Sequence, residues 1–238
     1  MNKNKILNIL KKALIAGLIA ITMFCTPIKS ITKQVYANIN IPKIEYRCES
    51  SHNILIYNSH SCEDYENGRY TVQDGAKDLS EKLKTRGCNV TYLSSKFADM
   101  NGYNLSYQSS RSHLEQLNLD KYDLIIDYHR DAGVKRDIVK NKYGSESARL
   151  MAVLSRNYNK NFENNKNMAN EFKKIINNTY NSNIWKSQDT IYNKGICNGF
   201  NQDITKGVLI EVGDQMNTFN DIKAANTELS YAIATYLK

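Results

Sequence analysis

The chain has 238 residues, of which 41% are hydrophobic and 24% charged, a composition that fits one globular domain able to bury its own core. Its formal net charge of +8 comes mostly from the first 37 residues, which contain six lysines and no acidic residue and leave the remainder at +2. Because that remainder has no arginine-rich tract and no repeat of aromatic and basic residues, the composition excludes nucleic acid as an expected partner.

The N-terminal residues have the pattern of an export signal. Lysines precede an apolar stretch at residues 13–25, and Val35-Tyr36-Ala37 offers a small-residue cleavage site. The apolar stretch is shorter than the roughly 20 residues of a membrane-spanning helix, which favours a cleaved signal peptide over an N-terminal membrane anchor. We therefore predict an exported, extracytoplasmic protein, in the cell wall or anchored to the membrane and facing the wall. The predicted segments are a signal or anchor (1–37), a short polar lead-in (38–52) and one functional domain (53–238).

The predicted elements alternate between strands and helices. Strands are expected at residues 53–58, 88–93, 148–154 and 207–212, and a further buried strand follows residues 121–123 and ends at Tyr128. Helices are expected at 72–86, part of 104–119, 161–180 and 221–237. The polar, lysine-rich stretch that ends at Glu146 is expected to form a hairpin or loop over a cleft, and residues 195–203 a loop. This rhythm predicts a single α/β domain, with a mainly parallel twisted sheet of about six strands and helices on both faces.

Three of the apolar runs lead into imidazole or carboxylate side chains. His60 and Glu63 follow the first run, His129 follows residues 124–126, and Glu211 follows residues 208–210. Parallel strands present functional side chains at their carboxyl ends, where a cleft forms. Two histidines and a carboxylate commonly hold a catalytic zinc, and a further carboxylate can act as base. The pattern therefore predicts a zinc hydrolase.

Some of these assignments have alternatives. Glu66 lies closer to the first helix and could replace Glu63 as the carboxylate ligand. Cys62 could be the nucleophile of a cysteine peptidase, although cysteine often packs as a small apolar group. Glu211 should have a partner, since an unpaired buried carboxylate would cost several kcal/mol.

The motifs around these residues resemble those of the stage II sporulation protein P family. Residues 56–65 are similar to its Tyr-His-Thr-His-Thr-x-Glu-x-Tyr signature, and residues 127–132 to its Asp-x-His-Arg-Asp-Ala block. Residues 106–111 resemble its Tyr-x-x-Ser-Arg stretch, and segments between 201 and 218 resemble its C-terminal block. Two positions depart from the family pattern: Asn58 stands at the first histidine of the signature, and Asp214 follows Gly213 where a second glycine is usual.

This resemblance implies an N-acetylmuramoyl-L-alanine amidase with a zinc-amidase or carboxypeptidase-like fold. Such an enzyme cleaves the amide between muramic acid and the L-alanine of the peptidoglycan stem peptide, and family members are also credited with cutting the stem itself. They act on the septal wall during spore engulfment, together with the sporulation proteins D and M. Carried over to this chain, the resemblance implies that Zn²⁺ binds to His60, Glu63 and His129, and that Glu211 is the catalytic acid/base. It also implies substrate-contacting or ligand-supporting roles for Arg130, Asp131, Arg111, Asn201 and Asn217.

Two other functions stay open from the sequence. The same zinc ligands serve carboxypeptidases and endopeptidases, which would act on the stem peptide. A wall-binding module could also keep the fold without the chemistry.

Overall fold

The structure is a computed structural model that describes residues 52–94, 105–157, 159–193, 200–205 and 207–238. The predicted signal or anchor and nearly all of the polar lead-in lie outside these residues, as does most of the predicted loop at 195–203. Within the described ranges, no helix combines the length and apolar character needed to cross a membrane.

The described part contains ten strands, four α-helices and a short 3₁₀ turn at Leu119–Lys121. The strands are β1 (Asn53–Tyr57), β2 (Asp64–Tyr65), β3 (Tyr70–Thr71), β4 (Asn89–Leu93), β5 (Leu124–Asp131), β6 (Ile138–Lys140), β7 (Glu146–Ala148), β8 (Leu150–Ser155), β9 (Thr190–Tyr192) and β10 (Gly207–Asp214). The helices are α1 (Val72–Thr85), α2 (Ser106–Leu114), α3 (Phe162–Tyr180) and α4 (Phe219–Tyr236).

Six of the strands form one sheet in the order β4-β1-β5-β10-β8-β9. The first four are parallel to one another, β8 is antiparallel to β10, and β9 is parallel to β8. The prediction of a mainly parallel sheet of about six strands is therefore confirmed. The reversal at β8 has a topological cause: the chain passes from β5 to β8 through a hairpin, without the crossover helix that a parallel return requires.

Two of the helices, α1 and α4, begin where the sequence supplies capping groups. Thr71 and Asp74 form a capping box at the start of α1, and Thr218 and Asp221 form another at the start of α4. Behind these caps, apolar side chains recur at helical spacing and turn one face of each helix towards the sheet. The caps and the apolar periodicity together account for the two helices that the sequence predicted at these places.

The two faces of the sheet are covered unequally. α1, α3 and α4 pack over one face and form the main core with side chains such as Ile126 and Tyr128 of β5. On the other face, Leu114 of α2 packs against Ile125. Because side chains alternate along a strand, Asp127 and His129 point to this second, less covered face. A cleft can form there.

The polar stretch after β5 forms the predicted hairpin, β6–β7, but the hairpin does not lie over the cleft. It packs against α4, and the guanidinium of Arg136 donates hydrogen bonds of 2.8 Å to both carboxylate oxygens of Asp221. None of the hairpin residues lines the cleft. The prediction of a covering loop was wrong because buried apolar and charged contacts hold this stretch on the opposite face.

Candidate metal centre

Three side chains with metal-binding atoms meet at the carboxyl ends of β1 and β5. His60 and Glu63 lie in the turn after β1, where the Glu63 N–H donates to the His60 carbonyl at 3.1 Å, and His129 extends from β5. One ligand atom from each residue lies within 4.8 Å of the other two. The Glu63 carboxylate is 3.3 Å from Nδ1 of His60 and 3.3 Å from Nδ1 of His129. The structure thus brings together the three residues that the sequence proposed as ligands.

The contacts of His129 determine which of its ring nitrogens carries the proton. Nε2 is 2.9 Å from Oδ1 of Asp127 and 2.8 Å from the Ser59 hydroxyl. Since the Ser59 hydroxyl donates its own hydrogen to Asp127 at 2.7 Å, it can only accept from the ring. Nε2 therefore holds a proton, and Nδ1 faces the Glu63 carboxylate. Burial alone would lower the pKa of His129, but Asp127 and Glu63 outweigh it and raise that pKa well above its usual value, which favours a second proton on Nδ1 until a cation displaces it. A cation between Nδ1 and the carboxylate would satisfy both groups.

The donor set fits zinc. Two imidazoles and a carboxylate are a recurrent ligand set for catalytic zinc, and the two histidines contact different oxygens of the Glu63 carboxylate at 3.3 Å. Burial alone would raise the pKa of Glu63, but the adjacent imidazoles outweigh it and hold that pKa well below the usual range. Glu63 is consequently ionised, as a metal ligand must be.

Glu66, the alternative carboxylate, is directed elsewhere. It has a left-handed backbone conformation with φ of 50°. Its Oε1 accepts a 2.8 Å hydrogen bond from the Phe219 N–H at the start of α4. In this position Glu66 accepts a hydrogen bond from one of the backbone N–H groups that have no partner inside the helix. The geometry therefore favours Glu63 over Glu66 as the carboxylate beside the histidines.

Glu211 borders the same group from the neighbouring strand. It is paired in register with His129 across β10 and β5, and it lines the cleft. Its Oε2 is buried and has no hydrogen-bond partner within the described residues, so the partner expected from the sequence is missing at this atom. Burial raises the pKa of Glu211 well above its usual value; His129 opposes the shift, and Glu63 adds to it. Such a carboxylate can hold a proton near neutral pH.

The cleft has a volume of about 380 Å³, and its lining mixes charged and apolar side chains. The charged ones are His60, Glu63, His129, Glu211, Arg130 and Asp131, and the apolar ones include Met151, Val153, Tyr192, Phe200 and Leu209. Tyr107 packs edge-on against His60, with ring centroids 4.7 Å apart. Cys62 is exposed and is not among the described residues that line the cleft.

Arg130 and Asp131 lie in the cleft wall, but their side chains also have partners in the protein. Arg130 donates from Nε to the Asp64 carbonyl at 2.7 Å, and its backbone N–H donates to Glu63 at 3.2 Å. The Asp131 carboxylate is 2.6 Å from the Lys186 ammonium. Arg130 therefore supports the turn that carries Glu63, while Asp131 connects the cleft to Lys186.

Arg111 and Asn201 are not among the described residues that line the cleft. Arg111 makes a two-point ion pair with Asp203, with distances of 2.8 and 2.9 Å. Asn201 is fully buried and donates to the Ser110 hydroxyl at 2.9 Å. Both contacts fasten α2 to the segment at 200–205, and α2 carries Tyr107.

Asn217 and Asn58 also have contacts within the fold. The side-chain Oδ1 of Asn217 accepts a hydrogen bond from the Asp214 N–H at 2.7 Å and so holds the turn between β10 and α4. The Asn58 amide donates to the Tyr128 carbonyl at 2.6 Å. Asn58 thus ties β1 to β5 and does not face the candidate ligands.

Sequence reasoning assigned no role to three residues at this site: Asp127, Ser59 and Tyr107. Asp127 could have been found, because strand alternation places it on the same face as His129. Ser59 and Tyr107 carried no such signal, since their contacts join segments that are far apart in the chain.

Two comparisons with known proteins identify the same family. A family model described as stage II sporulation protein P (SpoIIP) matches residues 28–234. The stage II sporulation protein P of Bacillus subtilis (strain 168) is 29% identical over 154 residues, which cover 62% of this chain and 34% of that protein. The chain thus spans about a third of the length of this curated relative.

Solved structures show weaker similarity. The CwlD amidase from Clostridioides difficile, in complex with the GerS lipoprotein, has a TM-score of 0.47 and 11% identity, covering 77% of this chain and 95% of that one. The N-acetylmuramyl-L-alanine amidase Ami1 from Mycobacterium smegmatis has a TM-score of 0.44 and 12% identity, covering 80% of this chain and 95% of that one.

Proposed function

Because the chain belongs to the stage II sporulation protein P family, we propose that it is a zinc-dependent peptidoglycan hydrolase that cleaves the amide between N-acetylmuramic acid and the L-alanine of the stem peptide. The observation that carries this proposal is the cluster of His60, Glu63 and His129 in one cleft with Glu211. In this proposal the protein acts outside the cytoplasm, on the septal wall during spore engulfment, with the sporulation proteins D and M as partners.

His60, Glu63 and His129 would hold the metal, and bound zinc would polarise the scissile carbonyl and make a water molecule more acidic. Glu211 takes the proton of the attacking water and passes it to the leaving nitrogen of L-alanine. The unpartnered Oε2 leaves Glu211 an oxygen that can accept this proton, and burial, which raises its pKa, favours holding the proton between the two transfers. A cation bound beside Glu211 would lower that pKa, so that the carboxylate is ionised before it acts as base.

The other residues of the site position these groups. Asp127 and Ser59 hold the His129 ring with its Nδ1 towards Glu63. Apolar side chains such as Met151 and Leu209 also line the cleft beside the charged groups, and such surroundings strengthen electrostatic interactions with a reacting carbonyl.

The test is metal content combined with product mass. The purified protein is analysed for zinc and then incubated with muropeptides of known structure. Intact stem peptides with a free L-alanine amino group support the amidase. Glycan that still carries shortened stems supports a peptidase instead, and binding without any cleavage supports a wall-binding module.

Glu211→Gln separates catalysis from metal binding. We expect this variant to retain zinc and to lose about 10²- to 10⁴-fold in turnover, the usual contribution of a general acid–base group. Glu81→Gln is the matched control, because Glu81 is an exposed carboxylate on α1. Wild-type rates in Glu211→Gln would refute the role given to Glu211.

A further inference from the structure

The floor of the cleft places Met151 directly beside Glu211. Glu211 of β10 is paired in register with His129 of β5 on one side and with Met151 of β8 on the other. Residues paired across neighbouring strands project from the same face of a sheet, and the strands lie about 4.8 Å apart. All three side chains line the cleft. His129, Glu211 and Met151 therefore form one row across three strands.

This row gives the cleft a direction. At one end of it, His60 and Glu63 in the turn after β1 meet His129. In the proposed reaction the scissile carbonyl lies beside these three residues, and Glu211 passes a proton to the leaving nitrogen. Because that nitrogen is bonded to the carbonyl carbon, the substrate extends from the candidate ligands across Glu211. The residue that supplies the nitrogen then lies on the Met151 side.

The Met151 side chain is held in place at this end of the row. Its sulfur accepts a hydrogen bond from the Thr190 hydroxyl of β9 at 3.3 Å. Met151 is partly buried and packs against the apolar cluster of Tyr107, Val153, Phe200 and Leu209. The cluster lies behind the thioether, so Met151 presents a fixed apolar surface to whatever binds beside Glu211.

We propose that Met151 selects the side chain of the residue that supplies the leaving nitrogen, and that it admits one as small as the methyl group of L-alanine. The inference rests on the proposed function, which defines the reacting bond and the role of Glu211. The side chain in question is attached to the Cα next to the leaving nitrogen, and one strand spacing separates Glu211 from Met151. A methyl group there contacts the thioether, whereas a larger side chain needs the space that Met151 occupies.

Met151→Ala creates that space. Leucine exceeds alanine by as many heavy atoms as methionine does, so the substitution removes from the protein about the volume that leucine adds to the substrate. A single methylene in an apolar pocket commonly changes discrimination by about tenfold or more. The preference for alanine over leucine should therefore depend on residue 151.

The experiment measures substrate binding in the Glu211→Gln background, where cleavage is slow. Calorimetry compares N-acetylmuramoyl-L-Ala-γ-D-Glu with the same compound carrying L-Leu in place of L-Ala. We expect the alanine compound to bind about tenfold more tightly. Adding Met151→Ala should abolish this preference, whereas adding Met151→Leu, which nearly conserves volume, should retain it. Met216→Ala is the matched control, because Met216 is exposed and is not among the described residues that line the cleft.

Equal affinities for the two compounds in the Glu211→Gln background would overturn the inference, as would a preference that persists after Met151→Ala. Absence of binding by either compound would overturn it too. Thermal unfolding checks that the variants are folded, and the comparison without a change at residue 151 decides the question if Met151→Ala is not.

Failure of the proposed function has a different result. A wild-type protein that cleaves neither compound, while Glu211→Gln still binds the alanine compound more tightly, has the subsite without the activity. A wild-type protein that cleaves both compounds at equal rates has the activity without the selection by Met151.

Discussion

Replacing Asp127 with asparagine tests whether His129 binds a metal through Nδ1. Asp127 is 3% exposed, and its carboxylate receives the Ser59 N–H at 2.9 Å, the Ser59 hydroxyl at 2.7 Å and the ring N–H of His129 at 2.9 Å. Asparagine keeps the shape but replaces one acceptor oxygen with a donor. The Ser59 hydroxyl can then turn towards His129, so the proton is no longer confined to Nε2.

The expected loss is in metal affinity. Supporting partners of metal-bound histidines typically contribute 10- to 100-fold to affinity, so Asp127→Asn should weaken zinc binding by about 1.4–2.7 kcal/mol. The assay is competition for zinc with a chromophoric chelator at constant pH. Asp203→Asn is the control, because Asp203 pairs with Arg111 and does not line the cleft.

A zinc affinity of Asp127→Asn equal to that of the control would refute this reasoning. Thermal unfolding of both variants in the metal-free form is measured separately. If Asp127 acted only through folding, the metal-free stability would fall while the zinc affinity of the folded protein stayed unchanged.

Two further predictions concern carboxylates near the site and at the start of α4. Glu63→Gln should abolish stoichiometric zinc binding, whereas Glu66→Gln should keep it. Glu66→Gln should instead lower the free energy of unfolding by about 1 kcal/mol, because the Phe219 N–H at the start of α4 loses its acceptor. Metal analysis measures the first effect, and urea unfolding measures the second. Burial alone would raise the pKa of Asp221, but the hydrogen bonds from Arg136 and Thr218 outweigh it and lower that pKa. The resulting stabilisation is complete above the unfolded-state pKa of 3.8, and it is lost as the pH falls towards the lower folded-state pKa. Asp221→Asn removes this titrating group, so the free energy of unfolding of the variant should fall less than that of the wild type when the pH drops below about 4, as measured by urea unfolding.

Much of the fold could be predicted from the sequence because its signals are local. β1, β5 and β10 are apolar runs, and their side-chain alternation follows from strand geometry. The caps of α1 and α4 lie within four residues of each helix start. The short strand β9 and the direction of β8 were not predicted, since neither depends on a local pattern but on which strands the chain meets on its return.

The candidate site divides in the same way. The amino-acid sequence by itself indicated that His60 follows an apolar strand and that His129 and Glu211 lie towards the carboxyl ends of two others, because residue type and periodicity belong to each segment alone. Only the tertiary structure decided that Glu63 faces the histidines while Glu66 meets α4, and that Met151 lies beside Glu211. Those outcomes depend on distances between segments that are up to 153 residues apart, and packing alone sets such distances.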